Sequence, residues 1–235
     1  DPRVFDWSQM ANVTRGWLEY LVEYNADGSI RGMLLDSWDV NNDATVYTLN
    51  VRQGVTWNDG TEFTAQDVAR NITGWCEKGL EGNSMAGRMA SLVDETTGVA
   101  RVGAITVTGP HTVVLSLLTP DVSIIPSMAD YPAAIVPASF TAETILSNPI
   151  GTGPYLPGEY QVGVKAELIK NSPHAWWGAD VYGGAYLDHL TFLDYGTDTA
   201  SIMAAAYSEE VDVAVCYTHL TAPTKRTGEA PEARR

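Results

Sequence analysis

The side chains able to do chemistry in this chain are present but dispersed. Its four histidines are His111, His174, His189 and His219. None pairs with another ligand at metal-binding spacing, and there is no H-E-x-x-H. No G-x-S-x-G elbow supplies an acyl-transfer nucleophile. The carboxylate neighbours Asp94-Glu95 and Glu209-Glu210 are expected by chance among 29 acidic residues, and they read as solvated surface. Cys76 and Cys216 form no C-x-x-C. Cys76, at the end of a helical pattern, reads as a small buried apolar residue. The Gly-rich block Gly151-Thr-Gly-Pro-Tyr155 lacks the Lys-Ser/Thr of a phosphate loop and the G-x-G-x-x-G of a dinucleotide site. The expectation is no catalytic residue, no metal and no cofactor. A binding site, by contrast, would need a cleft with apolar walls and a few placed polar groups.

Composition narrows this further. The 235 residues carry a net charge of −15, which argues against nucleic acid, whose phosphates require Lys and Arg. A hydrophobic share of 45% with seven Trp supports a real core in one large or two small domains. The best apolar run, Val113–Leu118, stops at Pro120 and is too short to span a membrane. No signal-peptide pattern is visible, and the abrupt Asp1-Pro2 opening suggests that an upstream segment is missing.

Any cleft must be positioned by regular elements, and the clearest are at 35–68. Tyr47, Leu49 and Val51 alternate with Thr48, Asn50 and Arg52, as a half-buried strand requires. A short strand is expected at Val55–Trp57 before the turn Asn58-Asp59-Gly60. Thr64 to Asp67 then reads as a capping box opening a helix to Cys76. Elsewhere the spacing predicts a helix over Asn12–Val22, a loop over Glu77–Gly87 and a hairpin through Gly109-Pro110-His111. It also predicts a short helix at Ile124–Met128, a strand at Ala134–Pro137 leading to a helix start at Ser139, and a strand at Val164–Lys170. Further on it predicts a strand from His189 and a helix over Asp198–Tyr207.

The run Y-x-L-x-V-R-x-G-V-x-W-x-D-G-x-x-F-T-A-x-D-V, from Tyr47 to Val68, resembles the signature of family 5 solute-binding proteins, the extracytoplasmic receptors of oligopeptide and dipeptide ABC importers. Other blocks fit the same pattern. They are Asp1-Pro2 for L-D-P, Glu19-Tyr20-Leu21 for E-x-L, Asp27-Gly28, Gly151–Tyr155, Asn171–Trp177, and Glu210–Val213 for a G-E-I-D-V strand in which Glu209 replaces Gly.

The resemblance implies an α/β, periplasmic-binding-protein-like two-lobe fold of the peptide-binding type, with the first lobe and its inserted subdomain only. The main lobe would comprise 1–19 and 149–214, and the subdomain 20–148. Residues 215–235 fit no lobe; the tail is rich in Thr, Pro, Lys and Arg and resembles a translated sequencing adaptor.

The implied function is capture of a peptide or similar small solute in the periplasm or another extracytoplasmic space. The protein would be a monomer delivering to ABC permease subunits, and it would not be an enzyme. The implied ligand contacts are Asp6, Trp7 and Ser8 after the L-D-P position, and Asn83 and Met85 in the loop after the long helix. Asp6 would pair with an ammonium, Trp7 would form an apolar or cation–π wall or else pack on the core, and Ser8 would present backbone groups. Met85 stands where some relatives carry Tyr. Arg88 reads as a surface ion pair or an anion partner. A peptide-sensing or chaperone module on the same scaffold is the alternative function. A nickel or haem carrier is disfavoured by the scattered histidines.

Overall fold

The computed structural model describes residues 1–6 and 10–214. They form two compact units, one of Asp1–Gln161 with Lys165–Phe192, the other of Val162–Val164 with the chain from Leu193.

The first unit opens with a 3-10 turn, Pro2–Val4, capped by the Asp1 carboxylate, and a short helix α1, Met10–Thr14. A helix through Val22 is not what forms. After Thr14 the chain turns, and Trp17 to Val22 are all buried, leaving no solvent face for an amphipathic helix. The backbone bonds of this stretch go to distant segments: Leu34 N–H to Tyr20 O, Leu35 N–H to Leu21 O, and Ile135 N–H to Glu19 O. A run buried on both sides is a central extended segment. Its apolar residues imitate helical spacing because nearly every position is apolar.

Strands β1 (Val22–Tyr24) and β2 (Ile30–Gly32) form a hairpin around Asp27-Gly28. Gly28 has φ 82°, the left-handed backbone such a turn favours in Gly. Next come β3 (Leu35–Val40) and β4 (Val46–Val51). As predicted, Tyr47, Leu49 and Val51 point inward. The expected strand at Val55–Trp57 is only an isolated bridge, Thr56 to Glu62, closing a tight turn in which the Asp59 carboxylate accepts from the Thr61 N–H and hydroxyl.

Helix α2, Ala65–Trp75, starts where predicted, and the Asp67 carboxylate accepts the Thr64 N–H at 3.0 Å. It buries Ala65, Val68, Ile72 and Trp75 against the sheet. A four-residue helix α3 (Met85–Arg88) and the small pair β5 (Val93–Asp94) and β6 (Val99–Ala100) lead to β7 (Ile105–Gly109) and β8 (Thr112–Ser116). The antiparallel order is β3-β4-β8-β7, with Tyr47 opposite Leu115 and Leu49 opposite Val113, so one face is continuously apolar.

Helix α4 is Ile124–Ser127. At Ala134–Pro137 the expected strand is replaced by side-chain bridging. The Asn71 amide accepts the Val136 N–H and donates to its carbonyl, so the segment needs no ladder partner there. No helix starts at Ser139; a 3-10 turn at Ala142–Thr144 follows. Strands β9 (Tyr155–Gln161), β10 (Lys165–Lys170) and β11 (His189–Leu193) make a three-stranded sheet in the order β11-β10-β9, with α5 (Ala179–Tyr182) between the last two strands.

In the second unit, α6 (Thr199–Tyr207) begins at an Asp198 cap. Glu209 follows it with φ 60°, the left-handed conformation that ends helices and favours Gly. The expected strand at Glu210–Val213 does not form among the described residues, and the 215–235 tail lies outside them.

Candidate functional site

The N-terminal segment is held by two turns from the middle of the chain. Arg3 pairs with Asp1 at 2.7 Å and with Glu77 at 2.9 Å. The Ser84 N–H and hydroxyl both donate to Arg3 O, at 3.0 and 3.2 Å. Three residues on, the Tyr131 hydroxyl donates to Asp6 O at 3.0 Å. The two turns are joined to each other: Arg88 reaches Asp130 at 2.5 Å and Ser84 O at 2.6 Å. The Asp130 carboxylate also accepts the Tyr131 N–H at 2.8 Å, and the buried Tyr20 donates its hydroxyl to Tyr131 O at 3.1 Å. Of the two readings of Arg88, the ion pair is the one observed.

Within this frame Asp6 is exposed. Trp7 and Ser8 lie outside the described residues. Asn83 and Met85 are placed differently. The Asn83 amide donates to Trp75 O and Glu77 O, at 3.2 and 2.8 Å, and its oxygen accepts the Met85 N–H at 3.1 Å. It therefore satisfies carbonyls left open at the end of α2. Met85 is fully buried among the core side chains.

A second convergence was not singled out as a site from sequence. Glu19 is 2% exposed, and its carboxylate accepts the Trp176 indole N–H at 2.9 Å and the Trp177 indole N–H at 2.6 Å. Burial pushes the Glu19 carboxyl above the usual 4.5, and the indole hydrogen bonds partly offset that. Trp176 stacks on Tyr182 at 5.6 Å, and the Tyr182 hydroxyl donates to Glu23, which pairs with Arg31 at 2.8 Å. The signal in the sequence is a lone acid inside the apolar run Trp17 to Val22.

Gly151 and Gly153 pack against the same run. The Gly153 N–H donates to Trp17 O and the Tyr155 N–H to Gly16 O, both at 3.0 Å. A Cβ at Gly151 would lie 1.9 Å from Trp17 O. Beside this cluster lies a cavity of about 350 Å³, lined in part by Asn12, Arg15, Tyr155, Trp176, Leu190 and Phe192.

The expected chemistry of the remaining candidates is accounted for locally. The Asp94 carboxylate accepts the Thr96 and Thr97 N–H groups in a turn, which hold it below the usual carboxylate range, and Glu95 pairs with Lys78 at 2.6 Å. His174 contacts Thr152 O at 3.1 Å. Burial pushes the Cys76 thiol up to about 12, so it is no nucleophile near neutrality. Among the described residues no three His, Cys, Asp or Glu side chains converge on a metal-sized site, and no helix is long and apolar enough to cross a membrane.

The profile of bacterial extracellular solute-binding proteins, family 5 (Middle), matches residues 29–232. The glutathione-binding protein GsiB of Pectobacterium atrosepticum is 27% identical over 161 residues, covering 66% of this chain and 29% of GsiB. The periplasmic oligopeptide-binding protein OppA of Escherichia coli K12 is 23% identical over 217 residues, covering 86% of this chain and 38% of OppA. Among solved structures, PBP AgaA from A. tumefaciens R10 in complex with agropinic acid superposes with a TM-score of 0.72 at 26% identity, covering 90% of this chain and 40% of AgaA. The chain thus spans between about three and four tenths of these relatives, and its α/β fold is the corresponding part of a two-lobe binding protein. The chain belongs to family 5 of the bacterial extracellular solute-binding proteins.

Proposed function

We propose that this chain is part of the substrate-binding component of an ABC importer. It captures a peptide or similar small solute outside the cytoplasmic membrane and hands it, as a monomer, to permease subunits, without covalent chemistry. The observation that carries this reading is the family match over residues 29–232. Named ligands of the relatives, glutathione and oligopeptides, support a peptide-like solute, and agropinic acid supports a wider class.

In this reading residues 1–19 and 149–214 belong to the main lobe and 20–148 to an inserted subdomain. The ligand meets the segment Asp6, Trp7 and Ser8. The exposed Asp6 carboxylate suits a ligand ammonium, and the anchoring of its own carbonyl by Tyr131 supports a fixed position for it. Asn83 and Met85 act from behind the surface, the first by fixing the turn that carries Ser84 and the second by packing beneath it. Closure of two lobes around the solute supplies the rest of the enclosure.

The test uses the protein produced from its complete natural reading frame. Native mass spectrometry with a defined pool of di- and tripeptides should show saturable one-to-one complexes that weaken in Asp6→Ala. Release of hydrolysed peptide, or no retained peptide, would overturn the reading.

A further inference from the structure

Glu19 is a buried carboxylate with no counter-cation among the described residues. It is 2% exposed, and its two oxygens accept neutral donors, the indole N–H groups of Trp176 and Trp177. No described Lys or Arg reaches it within ion-pair distance, and Glu23 acts on it with a charge of the same sign. The nearby cations are engaged elsewhere. Arg31 pairs with Glu23 at 2.8 Å and lies over the Tyr182 ring at 4.8 Å. Arg52 pairs with Asp36 at 3.3 Å and lies over the Trp177 ring at 4.8 Å, and Arg15 lies over the Tyr20 ring at 5.4 Å. Buried charges in proteins are ordinarily matched by an opposite charge or a metal. Glu23 has its match in Arg31; Glu19 has none, and it lines the cavity of about 350 Å³.

We propose that this cavity binds a small organic ammonium with an apolar body, and that the Glu19 carboxylate is its counter-charge. The site does not include Asp6 and goes beyond the peptide-binding reading. Each Glu19 oxygen takes one indole, and an ionised carboxylate offers about four lone-pair positions, so acceptor capacity remains for an N–H donor. Trp176 and Tyr182, stacked at 5.6 Å, form aromatic lining, which attracts cations and not anions. Tyr155, Leu190 and Phe192 supply lining for the apolar body. Ligand pockets run from about 300 to about 1,000 Å³, so this one suits a ligand smaller than an oligopeptide. The indole bonds hold the carboxylate in place before a ligand arrives, which lowers the ordering cost of binding.

Isothermal titration calorimetry on the protein from its complete reading frame, with 2-phenylethylammonium as probe, tests the assignment. The ammonium should bind one-to-one, and 2-phenylethanol, of the same shape without the charge, should bind about tenfold more weakly or worse. Glu19→Gln keeps an acceptor for the indoles; it should weaken the ammonium by a similar factor and leave the alcohol unchanged. Leu190→Phe narrows the cavity with Glu19 in place and should weaken both probes. Melting curves report whether each variant is folded, and the comparison of the two probes on the wild type needs no variant. Equal affinity for the two probes, no binding of the ammonium by the wild type, or wild-type affinity in folded Glu19→Gln or Leu190→Phe overturns the assignment.

Discussion

Replacing Gly151 by alanine is the sharpest structural perturbation the fold allows. Its Cβ would lie 1.9 Å from Trp17 O and 2.7 Å from Trp17 C, and both are backbone atoms that cannot rotate away. The two segments must therefore part by more than an ångström. Separation breaks the Gly153 N–H to Trp17 O and Tyr155 N–H to Gly16 O bonds and strains the Asn58 N–H to Gly151 O bond at 2.9 Å. Two or three bonds at about 1 kcal/mol each, with about 1–3 kcal/mol for the overpacked contact, give a loss of roughly 3–6 kcal/mol. For a domain of this size that lowers the melting temperature by roughly 6–24 °C. The matched control is Gly87→Ala in α3, where a Cβ meets nothing within 4 Å; it should be neutral or stabilise by up to about 1 kcal/mol. Urea denaturation of both variants reads the difference. A Gly151→Ala protein within 1 kcal/mol of wild type would refute the claim that the glycine block exists to let its backbone touch the Trp17 run.

Other consequences follow from the same geometry. Because the folded Glu19 carboxyl titrates above its ordinary 4.5, its contribution is fully present below that value and is lost as pH rises through the folded pKa. Stability should therefore fall across that window with a slope of up to about 1.4 kcal/mol per pH unit, and this slope should vanish in Glu19→Gln when chemical denaturation is repeated at several pH values. Glu209→Gly relieves left-handed backbone at the end of α6 and should stabilise by about 1 kcal/mol, read as slower amide exchange in Thr199–Tyr207. Met85→Ala empties a fully buried position and should cost about 2–5 kcal/mol, seen as an earlier denaturation midpoint.

Legibility tracked how local the determining physics was. The β4 alternation and the Thr64–Asp67 helix start depend on neighbours within a few residues, and both formed as read. Trp17 to Val22 failed because burial on both sides is a tertiary fact, and an unbroken apolar run has no period to read. The Ala134–Pro137 segment failed for a related reason: its partner is the side chain of Asn71, more than sixty residues away. Trp176 and Trp177 are legible only as part of the Asn171–Trp177 block; their partner Glu19 is 157 residues from Trp176. The Tyr131 contact to Asp6 spans 125 residues and left no sequence signal. Glu209, by contrast, was marked in advance by standing where the family pattern has Gly, and its left-handed backbone gives that pattern its physical reason.

The central claim is that Asp6 and the two residues after it meet a peptide-like solute. Isothermal titration calorimetry on the protein from its complete reading frame, with tri-alanine and its amino-blocked form, tests it most directly. The account predicts one-to-one binding of the free peptide, weakened about tenfold or more by blocking the ammonium or by Asp6→Ala, as loss of a charge-assisted bond implies. Equal affinity for the blocked and free peptides, unchanged in Asp6→Ala, would contradict it.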